Sequence, residues 1–156
     1  EDLGFLTKET IEFREKSGFP GMKVLAFAFS GESQNLYLPH NYERNCVAYT
    51  GTHDNDTVRG WIETTGSKVE VKNAIEYLRL TEEEGYNWGF IRGIWGSVAD
   101  TSIALMQDFL NLGNQARINL PSTIGNNWTW RMAEGSLNDE LANKIYRLTK
   151  IYGRCE

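Results

Sequence analysis

The chain is short of histidine, cysteine and proline, with two, two and three of them in 156 residues. Two histidines, His40 and His53, are too few for most all-histidine metal sites. Two cysteines as far apart as Cys46 and Cys155 do not make the dense disulfide framework of a small secreted domain. Cys46 lies in an apolar run and reads as a small buried hydrophobe, so a reduced, cytoplasmic protein is expected. No stretch approaches the roughly 20 apolar residues of a membrane helix, which argues against a membrane partner. A basic excess is also missing. Lys and Arg number 16 against 21 Asp and Glu, a net charge of −5, and the cations are scattered, which argues against nucleic acid. Neither an internal repeat nor a low-complexity tract is present. Hydrophobic residues at 40% and charged residues at 24% suit a folded domain with a sizeable core.

Aromatic residues are plentiful, with five Trp and seven Tyr. Trp128 and Trp130 lie in Gly125-Asn126-Asn127-Trp128-Thr129-Trp130-Arg131, a setting unlike a core. Aromatic faces beside amides suit carbohydrate, whose C–H faces stack while its hydroxyls take hydrogen bonds; capping of a core is the plainer alternative.

Periodicity and capping signals place the elements. Thr7 is an N-cap for a helix reaching Ser17, which Gly18 stops. Met22 to Phe29 is nearly continuous apolar sequence, the pattern of a strand buried on both faces in a parallel sheet. Leu38-Pro39-His40-Asn41-Tyr42 is too rich in turn formers for a regular element. Cys46 to Thr50 reads as a second strand. Thr57 to Thr64, Lys68 to Leu80 and Asn87 to Val98 read as helices. Ser102 to Met106 suits either a helix or a buried strand, and the loop of small and polar residues that follows favours a third strand. Asn138 caps a last helix with Leu141, Ile145, Leu148 and Tyr152 on one face. Strands alternating with helices imply a parallel α/β sheet.

Polar clusters follow each strand, at Ser30, at His53-Asp54 and at Gln107-Asp108. In a β/α barrel, that end of the strands carries the active site. A full barrel takes about 250 residues, and only three strands are visible. The chain therefore reads as one partial domain over residues 1–156, the C-terminal portion of a (β/α)8 TIM-type barrel comprising about strands 6–8 and their helices.

The segment Gly51-Thr52-His53-Asp54-Asn55-Asp56 is the most informative. A His-Asp pair delivered where a strand gives way to a loop is held rigidly over whatever binds there. A second acidic cluster, Glu1-Asp2-Leu3-Gly4, opens the chain, and two converging carboxylates are what glycosyl transfer requires. Asp56 reads rather as a cap for the next helix, and His40 equally well as a loop hydrogen-bonder. A metal-dependent phosphohydrolase using His40, His53, Asp54 and Asp100 is the rival from another class, disfavoured because the pair follows an apolar strand.

Taken together these segments resemble the 4-α-glucanotransferases, the amylomaltases or disproportionating enzymes. The resemblance runs through Glu1-Asp2-Leu3-Gly4, Gly21-Met22-Lys23-Val24-Leu25, Leu38-Pro39-His40-Asn41-Tyr42, the His53-Asp54 segment, Met106-Gln107-Asp108, Arg117-Ile118-Asn119-Leu120-Pro121 and Asn127-Trp128-Thr129-Trp130-Arg131. It implies Glu1 as general acid/base at the end of the fifth barrel strand. Asp54, after the seventh, is implied to stabilise the oxocarbenium-like transition state. His53 would bind hydroxyls of the same sugar, with Asp2 and Asn119 lining the glucan cleft. No cofactor or metal is implied. The substrates are an α-1,4-linked glucan or maltooligosaccharide donor and acceptor, handled by retaining double displacement. The family's nucleophilic Asp falls on the fourth strand, before Glu1, so these residues alone are expected to be inactive. A non-catalytic glucan-binding role is the alternative. Opened strand edges are expected to favour self-association. Ala26 departs from the family, many members of which carry a polar residue there.

Overall fold

A computed structural model describes residues 7–155. Its centre is a three-stranded parallel sheet in the order β1 (Gly21–Val24), β2 (Cys46–Tyr49), β3 (Thr101–Ile103). Gly21 pairs with Cys46 and Val47 with Thr101, so spatial neighbours are also sequence neighbours. All three strands end on the same side, and the loops that follow them gather there.

Loops and 3-10 turns join β1 to β2, and helices lie before β1, between β2 and β3, and after β3. Helix α1 (Lys8–Ser17) begins at Thr7, whose hydroxyl accepts from Thr10 N, and ends at Gly18 with φ 73°. Between β2 and β3 run α2 (Val58–Gly60), which continues as a π-helical turn over Trp61–Thr65, then α3 (Lys68–Leu78) and α4 (Tyr86–Trp95). A full capping box between Ser67 and Glu70 opens α3, satisfying two backbone donors reciprocally. Short α5 (Met106–Phe109) follows β3, and α6 (Asp139–Ile151) starts at the Asn138 cap. Among the described residues no helix is long and apolar enough to cross a membrane.

The core lies between the sheet and α4. Phe90, Ile91 and Ile94 of α4 are fully buried with Leu25 and Ala48. Phe29, Trp61 and Phe90 form a mutual aromatic cluster with ring centroids 5.6–5.8 Å apart. Such edge-on and tilted pairs add to the burial of large apolar area.

Four expectations are corrected. The apolar run after Met22 is not one strand: β1 stops at Val24, and Leu25–Phe27 curls into a 3-10 turn. Leu25 and Ala26 are still buried, and Ala26 N donates to Thr50 O at 3.2 Å. Burial satisfied by a turn looks identical, in composition, to burial satisfied by a strand. The third strand spans only Thr101–Ile103, with Met106 already helical, and α4 ends at Trp95 rather than Val98. Pro39–Asn41, expected to be irregular, makes a single 3-10 turn.

Candidate functional site

The loop between β2 and α2 closes on itself. Asn55 Oδ1 accepts from both Thr52 N and Thr52 Oγ1 at 2.9 Å, and Asn55 N returns to Thr52 O at 3.1 Å. Asp54 N donates to Thr52 Oγ1 at 3.3 Å. This tight turn, of the kind Asn side chains build, lifts His53 and Asp54 above the strand ends. Both side chains remain accessible, 44% and 43% exposed, so they can meet a ligand.

A second segment braces the pair. Asn119 Nδ2 donates to Asp54 Oδ1 at 2.6 Å, and His53 Nε2 lies 3.2 Å from the same oxygen. Arg117 donates through Nη2 to Asp54 O at 2.6 Å and through Nε to Asn119 O at 2.8 Å. Asn119 N reaches His53 O at 3.1 Å. Among the described residues, Asp54 Oδ2 accepts no hydrogen bond, whereas Oδ1 is engaged twice. One carboxylate oxygen is thus anchored and the other is left for a ligand. Beneath lies a cavity of about 300 Å³ lined by Tyr49, Thr52, His53, Asp54, Ile103 and Leu105 among others. It sits where ligands bind in parallel α/β sheets, outside the carboxyl ends of the strands.

Trp128 stands beside the pair. Its ring stands 4.9 Å from that of His53, with 38° between planes, and it is 58% exposed. Its backbone has φ 64°, uncommon for a bulky side chain and a conformation found at functional sites. Trp128 N donates to Ile118 O at 2.7 Å, which ties it to the segment carrying Asn119. The two Trp residues singled out by composition separate here: Trp128 faces the pair, and Trp130 is half-buried.

The structure brings together His53, Asp54 and Asn119. Glu1 and Asp2 lie outside the described residues. Asp56 does not cap α2; Thr57 does, accepting from Gly60 N at 3.0 Å. Asp56 is buried and takes hydrogen bonds from Asn114 Nδ2, Thr57 N, Thr64 Oγ1 and Thr65 Oγ1. His40 is a loop hydrogen-bonder, its ring between Tyr77 Oη at 2.8 Å and Ser33 O at 3.1 Å. No group of three or more His, Cys, Asp or Glu among the described residues is placed to hold a metal ion. Sequence reasoning did not single out Arg117, Asn55 or Thr50, whose roles are contacts made to backbone or across the fold.

Asp108 is fully buried, and burial is the main reason its carboxyl rises from 3.8 to about 6. Hydrogen bonds from Thr50 and Val58 N pull it back, and the charge of Asp56 adds to the rise. A native carboxyl that keeps its proton where the unfolded one has lost it makes the fold most stable below the unfolded value. That contribution disappears as pH rises through the folded value. Between about pH 4 and pH 6, acidification should add roughly 2–3 kcal/mol of stability through this group. Urea unfolding across that range should show a correspondingly smaller gain in Asp108→Asn; equal gains in both proteins would contradict the assignment.

A parallel α/β body with a braced polar pair over its strand ends defines a class of proteins that bind ligands at that rim. Comparison with known proteins makes the class specific. The sequence profile of the 4-alpha-glucanotransferase family matches residues 1–138, and the chain belongs to that family. It is 71% identical over its whole length to a 4-alpha-glucanotransferase of Clostridium butyricum, of which it covers 32%. A chloroplastic/amyloplastic 4-alpha-glucanotransferase of Arabidopsis thaliana is 45% identical over 99% of the chain, which covers 27% of that protein. The amylomaltase of Streptococcus agalactiae, solved in complex with acarbose, superposes with TM-score 0.92 at 34% identity over all of the chain and 32% of its own. The chain thus spans about a third or less of the length of these relatives.

Proposed function

We propose that these residues form the His-Asp side of the active site in a 4-α-glucanotransferase acting on α-1,4-glucans by retaining double displacement. The observation that carries this reading is Asp54: Oδ1 is fixed by Asn119 and His53, and Oδ2 is free of described partners over the cavity. In the proposed role, that oxygen supplies negative charge as the sugar ring flattens toward an oxocarbenium ion. His53 and Asn119 bind the same sugar, with Asp2 at the cleft wall. Glu1 acts as acid/base, protonating the leaving oxygen and then deprotonating the acceptor hydroxyl, while an aspartate outside these residues forms the glycosyl-enzyme. No cofactor takes part. The relative solved with acarbose supports a glucan-like ligand for this cleft.

Architecture belongs to the same proposal. Three adjacent parallel strands in sequence order suit strands 6–8 of a (β/α)8 barrel, with residues 1–156 as one partial domain. Two free thiols, Cys46 and Cys155, support a reduced, cytoplasmic setting.

The test is disproportionation of maltotriose by the whole polypeptide that carries this segment. Glucose and longer maltooligosaccharides are expected; binding without turnover would favour the non-catalytic alternative. The 156 residues alone are expected to release no glucose and to sediment above monomer mass through pairing of exposed strand edges. Turnover by the short chain, or a strictly monomeric species, would contradict the corresponding part.

A further inference from the structure

One buried side chain holds both ends of the loop that carries His53 and Asp54. Thr50, just before the loop, donates its Oγ1–H to Asp108 Oδ2 at 2.6 Å. Val58, the first residue of α2, donates its N–H to Asp108 Oδ1 at 2.8 Å. Asp108 is itself fixed, because its carbonyl accepts from Asn87 Nδ2 of α4 at 2.7 Å and its N–H donates to Leu105 O at 3.0 Å. The residue just before it reinforces the brace. Gln107 Nε2 donates to Ala116 O at 3.2 Å, which sets the segment leading to Arg117 and Asn119.

We propose that Asp108 is a positioning residue for the transferase reaction: it clasps both ends of the loop 51–57 and so fixes where Asp54 meets the glucan ring. The inference rests on the functional reading given above. Stability alone is a poor reason for this carboxylate. Burying a charge costs free energy, and its hydrogen bonds must offset that cost before it stabilises the fold at all. Nor does the sheet depend on it. Thr50 is held independently, by its N–H to Ile103 O at 3.4 Å and its carbonyl from Ala26 N at 3.2 Å. What the carboxylate adds is a fixed distance between the loop's two ends, in a site where small displacements of a reacting group are costly.

The test uses the whole polypeptide, with kcat and KM for maltotriose and thermal unfolding measured for wild type, D54N, D108A, D108N and T50V. Asparagine can keep both contacts, its oxygen accepting from Val58 N–H and its amide donating to the Thr50 hydroxyl. D108A is therefore expected to lose on the order of 100-fold in kcat and T50V about tenfold, with KM changing less than about threefold and D108N staying within about threefold of wild type. A purely structural role would lower the melting temperature and leave kcat, assayed well below it, unchanged. A folded D108A with wild-type kcat overturns the inference, as does a D108N as impaired as D108A. Should D108A fail to fold, T50V decides, and a wild-type kcat in T50V overturns the clasp. An inactive wild type overturns the functional reading and this inference together; an active wild type and inactive D54N beside an unaffected D108A overturn the inference alone.

Discussion

Asp54→Asn in the whole polypeptide is expected to lower kcat for maltotriose disproportionation by on the order of 1,000-fold, with KM within about threefold. The size follows from where the charge is needed. In the proposed mechanism the sugar acquires positive character only on the way to the transition state, so a neutral side chain forfeits stabilisation that the ground state never used. Geometry makes asparagine worse than merely neutral. Asn119 Nδ2 donates to Asp54 Oδ1 at 2.6 Å, so the amide oxygen of the replacement must take that place. Its NH2 group then faces the cavity, presenting donors where the ring develops positive charge. Initial rates of glucose release under saturating maltotriose measure the effect. A variant within tenfold of wild type would remove Asp54 from the chemistry.

The parts of this molecule that sequence made legible are those written in short windows. The turn from Thr52 to Asn55, the Asn138 start of α6 and the Gly18 stop of α1 each depend on residues a few positions apart. The His53-Asp54 pair was visible for the same reason, since a strand ending in a Gly-Thr turn announces where two polar groups will stand. What escaped was either aperiodic or distant. Met22 to Phe29 has no alternation to mark where β1 gives way to a turn at Leu25, because apolar residues are buried in both halves. The bonds of Asp108 span 58 and 50 positions, and those of Arg117 and Asn119 to Asp54 span 63 and 65. No spacing rule reaches that far. Resemblance to a family supplied Asn119, whereas only the assembled fold shows it sharing an oxygen with His53. Trp128 was flagged by its polar surroundings, and its stack on His53 gives that exposure a use.

Gly60→Ala reverses the usual rule for a helical glycine. Gly60 has ordinary helical angles, φ −60° and ψ −40°, and at such a position alanine normally gains about 1 kcal/mol. Here the added methyl would stand 2.5 Å from Asp56 Cγ and 2.8 Å from Oδ2, and closer still to Oδ1. Asp56 has little room to yield. It is buried, and Asn114 and Thr57 N hold its two oxygens at 2.7 and 2.9 Å, with Thr64 and Thr65 within 3.4 Å. Moving it breaks charge-assisted hydrogen bonds and strands a buried carboxylate. Overpacking and lost bonds together should destabilise the protein by about 3–5 kcal/mol in urea unfolding. The decisive comparison is a double-mutant cycle. Asp56→Ala removes the obstacle, so adding Gly60→Ala to it should cost nothing or recover up to about 1 kcal/mol. The coupling between the two substitutions should then be about 3–6 kcal/mol. Additive costs, or a Gly60→Ala protein as stable as wild type, would mean that Asp56 moves freely and that its hydrogen bonds do not hold it in place.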